Sequence, residues 1–270
     1  MPQLRIALGL EYDGTAYNGW QRQRTGMGVQ ERVENALQVV ANENIEVTCA
    51  GRTDTGVHAS GQVVHFDTSS ERSNRSWLLG ANSNLPDDIS VIWAQPVDDG
   101  FHARFSATSR SYEYLLLNRP ERSSLYRHRA WWVYTDLDVE RMHRAAQALV
   151  GRHDFSAYRA AGCQASTATR DIASLSVTVD KNWIRLRVTA NAFLQHMVRN
   201  IMGTLVTIGS GEKAEEWAAE VLESRDRKKG GVAAPPHGLT LVDVKYPREF
   251  KLPPNPNFEQ VVMTNGVRAG

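Results

Sequence analysis

The first hundred residues carry a strand–helix–strand–strand–helix–strand order, and few folds accommodate it. Leu4 to Tyr12 sets Ile6, Leu8 and Leu10 on one face, which predicts a strand. From Gly28 to Asn42, Val29, Val33, Leu37 and Val40 recur at helical spacing, with Glu31 and Glu34 near the start, where a helix favours acids. Ile45 to Ala50 and Gln62 to Phe66 read as strands, being rich in apolar and β-branched residues. Ser73 caps a short helix bearing Trp77 and Leu78, and Ile89 to Ala94 reads as a strand after the turn Leu85-Pro86-Asp87-Asp88. This is the split β-α-β arrangement, helices covering a mainly antiparallel sheet.

The second part repeats the logic with insertions, and no residue-level repeat is visible. Ser111 to Asn118 predicts a strand with Tyr112 and Tyr114 on one face. Ala130 to Tyr134 predicts another, and Val139, Met142, Ala146 and Leu149 mark a helix. After Gly151 the chain reads as irregular. Ala173 to Val179 and Trp183 to Ala190 alternate as a hairpin around Asp180-Lys181-Asn182. Met197, Ile201, Leu205 and Ile208 define a helix, Glu215 to Ser224 a second, and Leu239 to Tyr246 a closing strand. The expected class is α+β: residues 1–104 and 105–247 as two similar halves of one continuous sheet, with flanking helices and a central cleft. Residues 248–270, proline-rich at their start, form a surface tail.

Between the second and third predicted strands lies Gly51-Arg52-Thr53-Asp54-Thr55-Gly56-Val57-His58. Gly51 and Gly56 permit backbone angles that other residues avoid, and Thr53, Asp54 and Thr55 can bond nearby amides. A loop anchored by a strand holds a reactive carboxylate rigidly, and Asp54 is that candidate. By composition alone, an Asp that merely caps its own turn is the favoured reading.

The loop closely resembles the GRTDAGVH loop of tRNA pseudouridine synthases of the TruA type, with Thr55 where Ala is usual. Glu11 to Gln23 (EYDGTAYNGWQRQ), Phe101 to Tyr114 (FHARFSATSRSYEY), Asn191 to Asn200 (NAFLQHMVRN) and His237 to Pro247 (HGLTLVDVKYP) are similar to the same family, in the same order. The resemblance implies the pseudouridine synthase fold, two α/β halves around a catalytic cleft. It also implies a tRNA substrate, modified at uridines 38, 39 and 40 of the anticodon arm, and a homodimer. Asp54 is then the catalytic residue and Tyr112, of the Arg110 to Tyr114 segment, the ring that stacks on the uracil. Arg199 is the cation paired with the Asp, and Leu239, after Gly238, the apolar wall against the base.

The reaction so implied breaks the bond from ribose C1′ to uracil N1, turns the base and rejoins it through C5. Nothing is oxidised or added, so no cofactor or metal is called for. The sequence has no GxGxxG, no P-loop and no His/Cys ligand cluster. His58 and His65, seven residues apart, have a poor ligand spacing and read as structural. One carboxylate can serve as nucleophile or as general base. Attack at C6, attack at C1′ and proton removal from C2′ all remain open. A stacked nucleotide must be flipped out for any of them. Arg52 either orients Asp54 or fills the space left by the extruded base.

Charge is unevenly spread. Net charge is only +1, yet Phe101 to Trp131 holds six arginines (104, 110, 119, 122, 127 and 129) against Glu113 and Glu121. Tyr17 and Trp20 are followed by Arg22 and Arg24, aromatic rings interleaved with cations. Arg22, Arg24, Arg104 and Arg110 are therefore candidate RNA contacts, with no DNA role expected. Cys49 and Cys163 support neither a disulfide scaffold nor a zinc site, and no apolar run is long enough to span a bilayer. The start of the chain does not resemble a signal peptide, so a reduced cytoplasmic setting is expected. Two rival readings exist. Asp54-Thr55-Gly56 is also the aspartic protease triplet, but that class is all-β and wants an apolar strand where Arg52-Thr53 stand. A non-catalytic RNA-binding platform would keep the aromatics and arginines and tolerate loss of Asp54.

Overall fold

A computed structural model describes residues 3–23, 25–256 and 258. The chain forms two compact units, Met1–Thr108 with Leu241–Gly270, and Ser109–Thr240. In the first, β1 (Leu4–Tyr12) pairs antiparallel with β3 (His58–Thr68) on one side and β4 (Ile89–Val97) on the other. Leu8 sits opposite Val64 and Ala94. The predicted inward set Ile6, Leu8 and Leu10 is buried, and so is Ala7, because a central strand is covered on both faces.

One face of this sheet is closed by α1 (Val29–Ala41) and α2 (Asn74–Asn84). Ser73 caps α2 as expected, its hydroxyl oxygen accepting from the Ser76 amide at 3.1 Å. Trp77 on α2 is fully buried edge-on to Phe66, 5.1 Å between ring centres. On the other face, Trp93 lies across Gly9, where even a methyl group would meet the indole at 2.1 Å. β2 shrinks to Thr48–Cys49, while β3 begins at His58, four residues earlier than the predicted Gln62. The loop therefore runs directly into the strand. β10 (Leu239–Lys245) lies beside β3, and the chain beyond it stays against the same unit. Phe250 packs edge-on against Phe101, and Asn255 donates to the Val242 carbonyl at 2.6 Å.

The second unit has β5 (Ser109–Asn118) antiparallel to β9 (Trp183–Ala190), β9 to β8 (Thr169–Asp180), and β8 to the edge strand β7 (Gly151–Asp154). Short β6 (Trp131–Val133) runs parallel to the far end of β5. α3 (Val139–Gln147) packs on β8 and on α4 (Met197–Gly209), and α5 (Trp217–Ser224) follows. The chain is thus α+β, with β1, β2, β3 and β4, and likewise β5, β7, β8 and β9, paired antiparallel and β5–β6 parallel. β7 and the 3₁₀ turn Ser156–Tyr158 occupy a stretch that reads as irregular in sequence. Four polar-rich edge residues give no apolar alternation to detect. No helix among the described residues is long and apolar enough to cross a membrane.

Candidate active site

The loop from Gly51 to Val57 is bonded to its surroundings at Gly51, Thr53 and Gly56 and closed on itself from Asp54 to Val57. Gln62, within β3, donates to the Gly51 carbonyl at 2.6 Å and accepts from the Gly51 amide at 3.4 Å. Thr53 is buried, its hydroxyl 2.8 Å from the Tyr12 hydroxyl. Its carbonyl accepts from the Trp20 amide at 3.0 Å. The Asp54 carbonyl accepts from the Val57 amide at 3.1 Å, closing a four-residue turn. Gly56, at φ +76°, fills the turn position that type II geometry reserves for a left-handed residue. Its amide donates to the Tyr17 carbonyl at 3.3 Å. Inside and outside alternate as a result: Thr53 and Val57 are buried, Asp54 is half-exposed, and Arg52 and Thr55 are exposed.

The segment from Asp13 to Trp20 is the other wall of the loop. Gly19, at φ +90°, approaches so closely that a Cβ there would lie 2.6 Å from the Thr53 carbonyl oxygen and 3.1 Å from the Asp54 carbonyl carbon. His58 is buried, its Nδ1 accepting from the Gly14 amide at 3.0 Å with the Asp13 carboxylate 3.1 Å away. His65 accepts from the Ala103 amide at 3.1 Å. Both histidines hold backbone, as their spacing suggests. Behind the loop, burial pushes the Cys49 thiol up to about 12, against the opposing pull of the Arg52 and Arg104 charges. Among the described residues no group of three or more His, Cys, Asp or Glu is placed to hold a metal ion.

The other residues singled out by sequence divide between the units. Arg22 is anchored at 2.5 Å to Glu34, a buried acid of α1 that also accepts from Gln30 and from the Val47 amide. Arg104 is exposed, its guanidinium carbon 5.5 Å from the centre of the Phe105 ring. Arg24 lies outside the described residues.

In the second unit, Tyr112 on β5 is buried with its ring edge-on to Phe193 at 5.0 Å. Tyr114, on the same face, donates from its hydroxyl to the Pro235 carbonyl at 2.7 Å. Burial raises the Tyr114 pKa, and the Arg199 charge partly offsets that. Arg199 stands in the first turn of α4, its Nε donating to the Ala234 carbonyl at 2.8 Å while its own carbonyl accepts from the Ala234 amide at 3.0 Å. Leu239 is buried at the start of β10, and Gly238 before it sits so close that a Cβ would meet the Tyr114 ring at 2.7 Å. Arg110 is buried and donates to the Asn191 carbonyl at 2.9 Å, binding the start of β5 to the end of β9. Tyr112, Arg199 and Leu239 thus belong to one unit, and Arg52 and Asp54 to the other.

A sequence model of the family described as tRNA pseudouridine synthase matches residues 10–106 and 145–247. The chain belongs to that family. It is 56% identical over 250 residues to the tRNA pseudouridine synthase A of Pseudoalteromonas atlantica, covering 93% of this chain and 95% of that one. It is 53% identical over 252 residues to the Coxiella burnetii enzyme of the same name (93% and 97% covered) and 54% identical over 250 to that of Shewanella amazonensis (93% and 96%). Gly19 falls within the Glu11–Gln23 motif, but nothing there shows that it meets the loop, and Gln62, which bonds Gly51 from 11 positions away, lies outside the quoted motifs. The nearest sequence signal for Gln62 is a polar residue at the start of an otherwise apolar strand.

Proposed function

We propose that this chain converts uridine to pseudouridine in the anticodon arm of tRNA, at positions 38, 39 and 40, with Asp54 as the catalytic residue. The observation that carries the reading is the loop itself, a half-exposed carboxylate on a turn whose backbone is locked from both flanks. The reaction needs one such group held still, as nucleophile or as base. The C1′–N1 bond breaks, C1′ joins C5, C5 gives up its proton and N1 gains one, so the reaction balances without a cofactor. Tyr112 supplies the ring against the uracil, Leu239 the apolar wall, and Arg199 the cation paired with Asp54. Arg52 orients Asp54 or fills the gap left by the flipped base. Arg104 contributes to holding the RNA, Arg22 only through the head left exposed by its pairing with Glu34, and Arg110 by keeping β5 and β9 in register. The working form is a cytoplasmic homodimer, testable by sedimentation: a concentration-independent monomer mass would refute it.

The deciding experiment is Asp54→Asn. Asn keeps the shape and the hydrogen-bonding capacity but cannot act as nucleophile or base. Pseudouridine formation should fall at least about 10³-fold while tRNA binding stays near normal. Wild type should work with no added metal or nucleotide, and in the presence of a chelator. Turnover by Asp54→Asn at close to the normal rate would remove Asp54 from the mechanism. Binding by wild type without any change to uridine would make the protein a non-catalytic platform.

A further inference from the structure

In the first unit, three rings outside the residues assigned to the reaction form a ladder from the core to the surface. His65 on β3 is buried, 4.8 Å from the His102 ring, and His102 lies 4.3 Å from Phe105 at an interplanar angle of 30°. Phe105, the last rung, is 75% exposed. The rungs are held by backbone. His65 Nδ1 accepts from the Ala103 amide, and His102 Nδ1 accepts from the amides of Arg104 and Phe105, both at 3.2 Å. The His102 amide donates to the Ser106 hydroxyl at 3.0 Å, and the Ser106 amide returns to the His102 carbonyl at 2.9 Å. Nδ1 is an acceptor in both histidines, so both rings are neutral with the proton on Nε2. Burial lowers the pKa of each in the same sense.

A large apolar ring fixed in place yet open to water gains nothing from burial and has already lost its freedom, so a flat partner would meet it without further ordering. The Arg104 guanidinium carbon stands 5.5 Å from the ring centre, within cation–π range but too far to lie flat upon it. The ladder's foot, His65, lies beside the strand that leads into the Asp54 loop. Thr48, on β2 just before that loop, is paired with His65.

We propose that Phe105, backed by His102 and flanked by Arg104, is a stacking subsite for an unpaired base of the RNA other than the uridine that reacts. A π face with a cation beside it is the combination that holds single-stranded nucleic acid irrespective of sequence. A protein partner would call for a wider apolar patch, and the residues on either side of Phe105 are Arg104 and Ser106. The subsite rests on the reading of tRNA as substrate.

The test uses the full chain with a tRNA transcript, a fully paired RNA duplex of equal length, and the variants Phe105→Ala and Phe105→Trp. Phe105→Ala should weaken tRNA binding about 5- to 150-fold, the range expected for one base–ring stack. Phe105→Trp should restore binding to within about threefold, since it offers an equal or larger face. The single-turnover rate at saturating tRNA should be unchanged in both, and so should duplex binding. An unchanged affinity in Phe105→Ala, equal losses in both variants, or an equal loss toward the duplex would overturn the subsite. So would a change in sedimenting mass, which would make Phe105 a contact between copies of the chain. Wild type is assayed in parallel for pseudouridine, so an inactive wild type strikes the functional reading, and an active wild type with an indifferent Phe105 strikes the subsite alone.

Discussion

Thr53, Gly56 and Gly19 do for Asp54 what no property of the carboxylate could do alone, which is to fix the backbone that carries it. A buried hydrogen bond such as Thr53 to Tyr12 contributes only about 1 kcal/mol net, yet its loss leaves two buried hydroxyls to find other partners. Gly19→Ala is the sharper probe, because φ +90° strains any side chain and the new Cβ would press on the Thr53 carbonyl. It should cost roughly 1–3 kcal/mol of stability and lower kcat by more than the unfolded fraction accounts for. Denaturant melts set beside kcat measure both, and wild-type kcat in the variant would show that the loop tolerates the displacement. Tyr112→Phe keeps the ring and should keep most activity, whereas Tyr112→Ala loses the stack, worth about 1–3 kcal/mol. Equal and severe losses in pseudouridine assays of the two would assign the work to the hydroxyl. At this scale the sequence marks the candidate carboxylate and hides what holds it. Asp54, Tyr12 and Gly19 all stand in motifs, but Tyr12, Gly19 and Gln62 reach the loop only because β1, its following turn and β3 are neighbours in space.

Among the described elements, α1 to α5 are legible in sequence, four from an apolar face at helical spacing and α2 from its Ser73 cap. The misread pieces are those with no periodicity: two-residue β2, polar β7, and the loop-to-strand junction where β3 starts early. β3 also carries a pH response. Burial, aided by His102 and Arg5 and opposed by Asp67, lowers the pKa of His65 to about 4 from its ordinary 6.5. In that window the unfolded chain binds a proton that the native state does not, so stability is full above about pH 6.5 and falls as pH drops toward 4. Asp67, held low by its 2.7 Å bond to Arg5, extends the loss below its ordinary 3.8. His65→Asn keeps an acceptor for the Ala103 amide and removes the titration. Urea midpoints at pH 7, 5.5 and 4.5 should decline less steeply in the variant. Parallel declines would place the acid sensitivity elsewhere.

Over the whole molecule, charge and chain path matter more than any single contact. Sequence reveals a closing strand from Leu239 but not which sheet edge receives it, since pairing partners leave no mark in an apolar run. Residues from Leu241 onward group with the first unit, and β10 lies beside β3. The arginine-rich stretch is likewise not uniform once folded. Arg110 is buried against Asn191, whereas Arg122 and Arg127 are exposed. Folded RNA is held largely through its phosphates, and each phosphate neutralised releases counterions, so log K should fall linearly with log salt. Arg122→Gln and Arg127→Gln should each weaken tRNA binding uniformly across tRNAs and reduce the salt slope by about one. Arg110→Gln should leave the slope alone and instead lower the unfolding midpoint, because its guanidinium serves the β5–β9 pair rather than solvent. Affinity that does not change between low and physiological salt would mean that these exposed arginines face no phosphate. A slope altered by Arg110→Gln, with the melt unchanged, would move the phosphate contact to the buried end of β5.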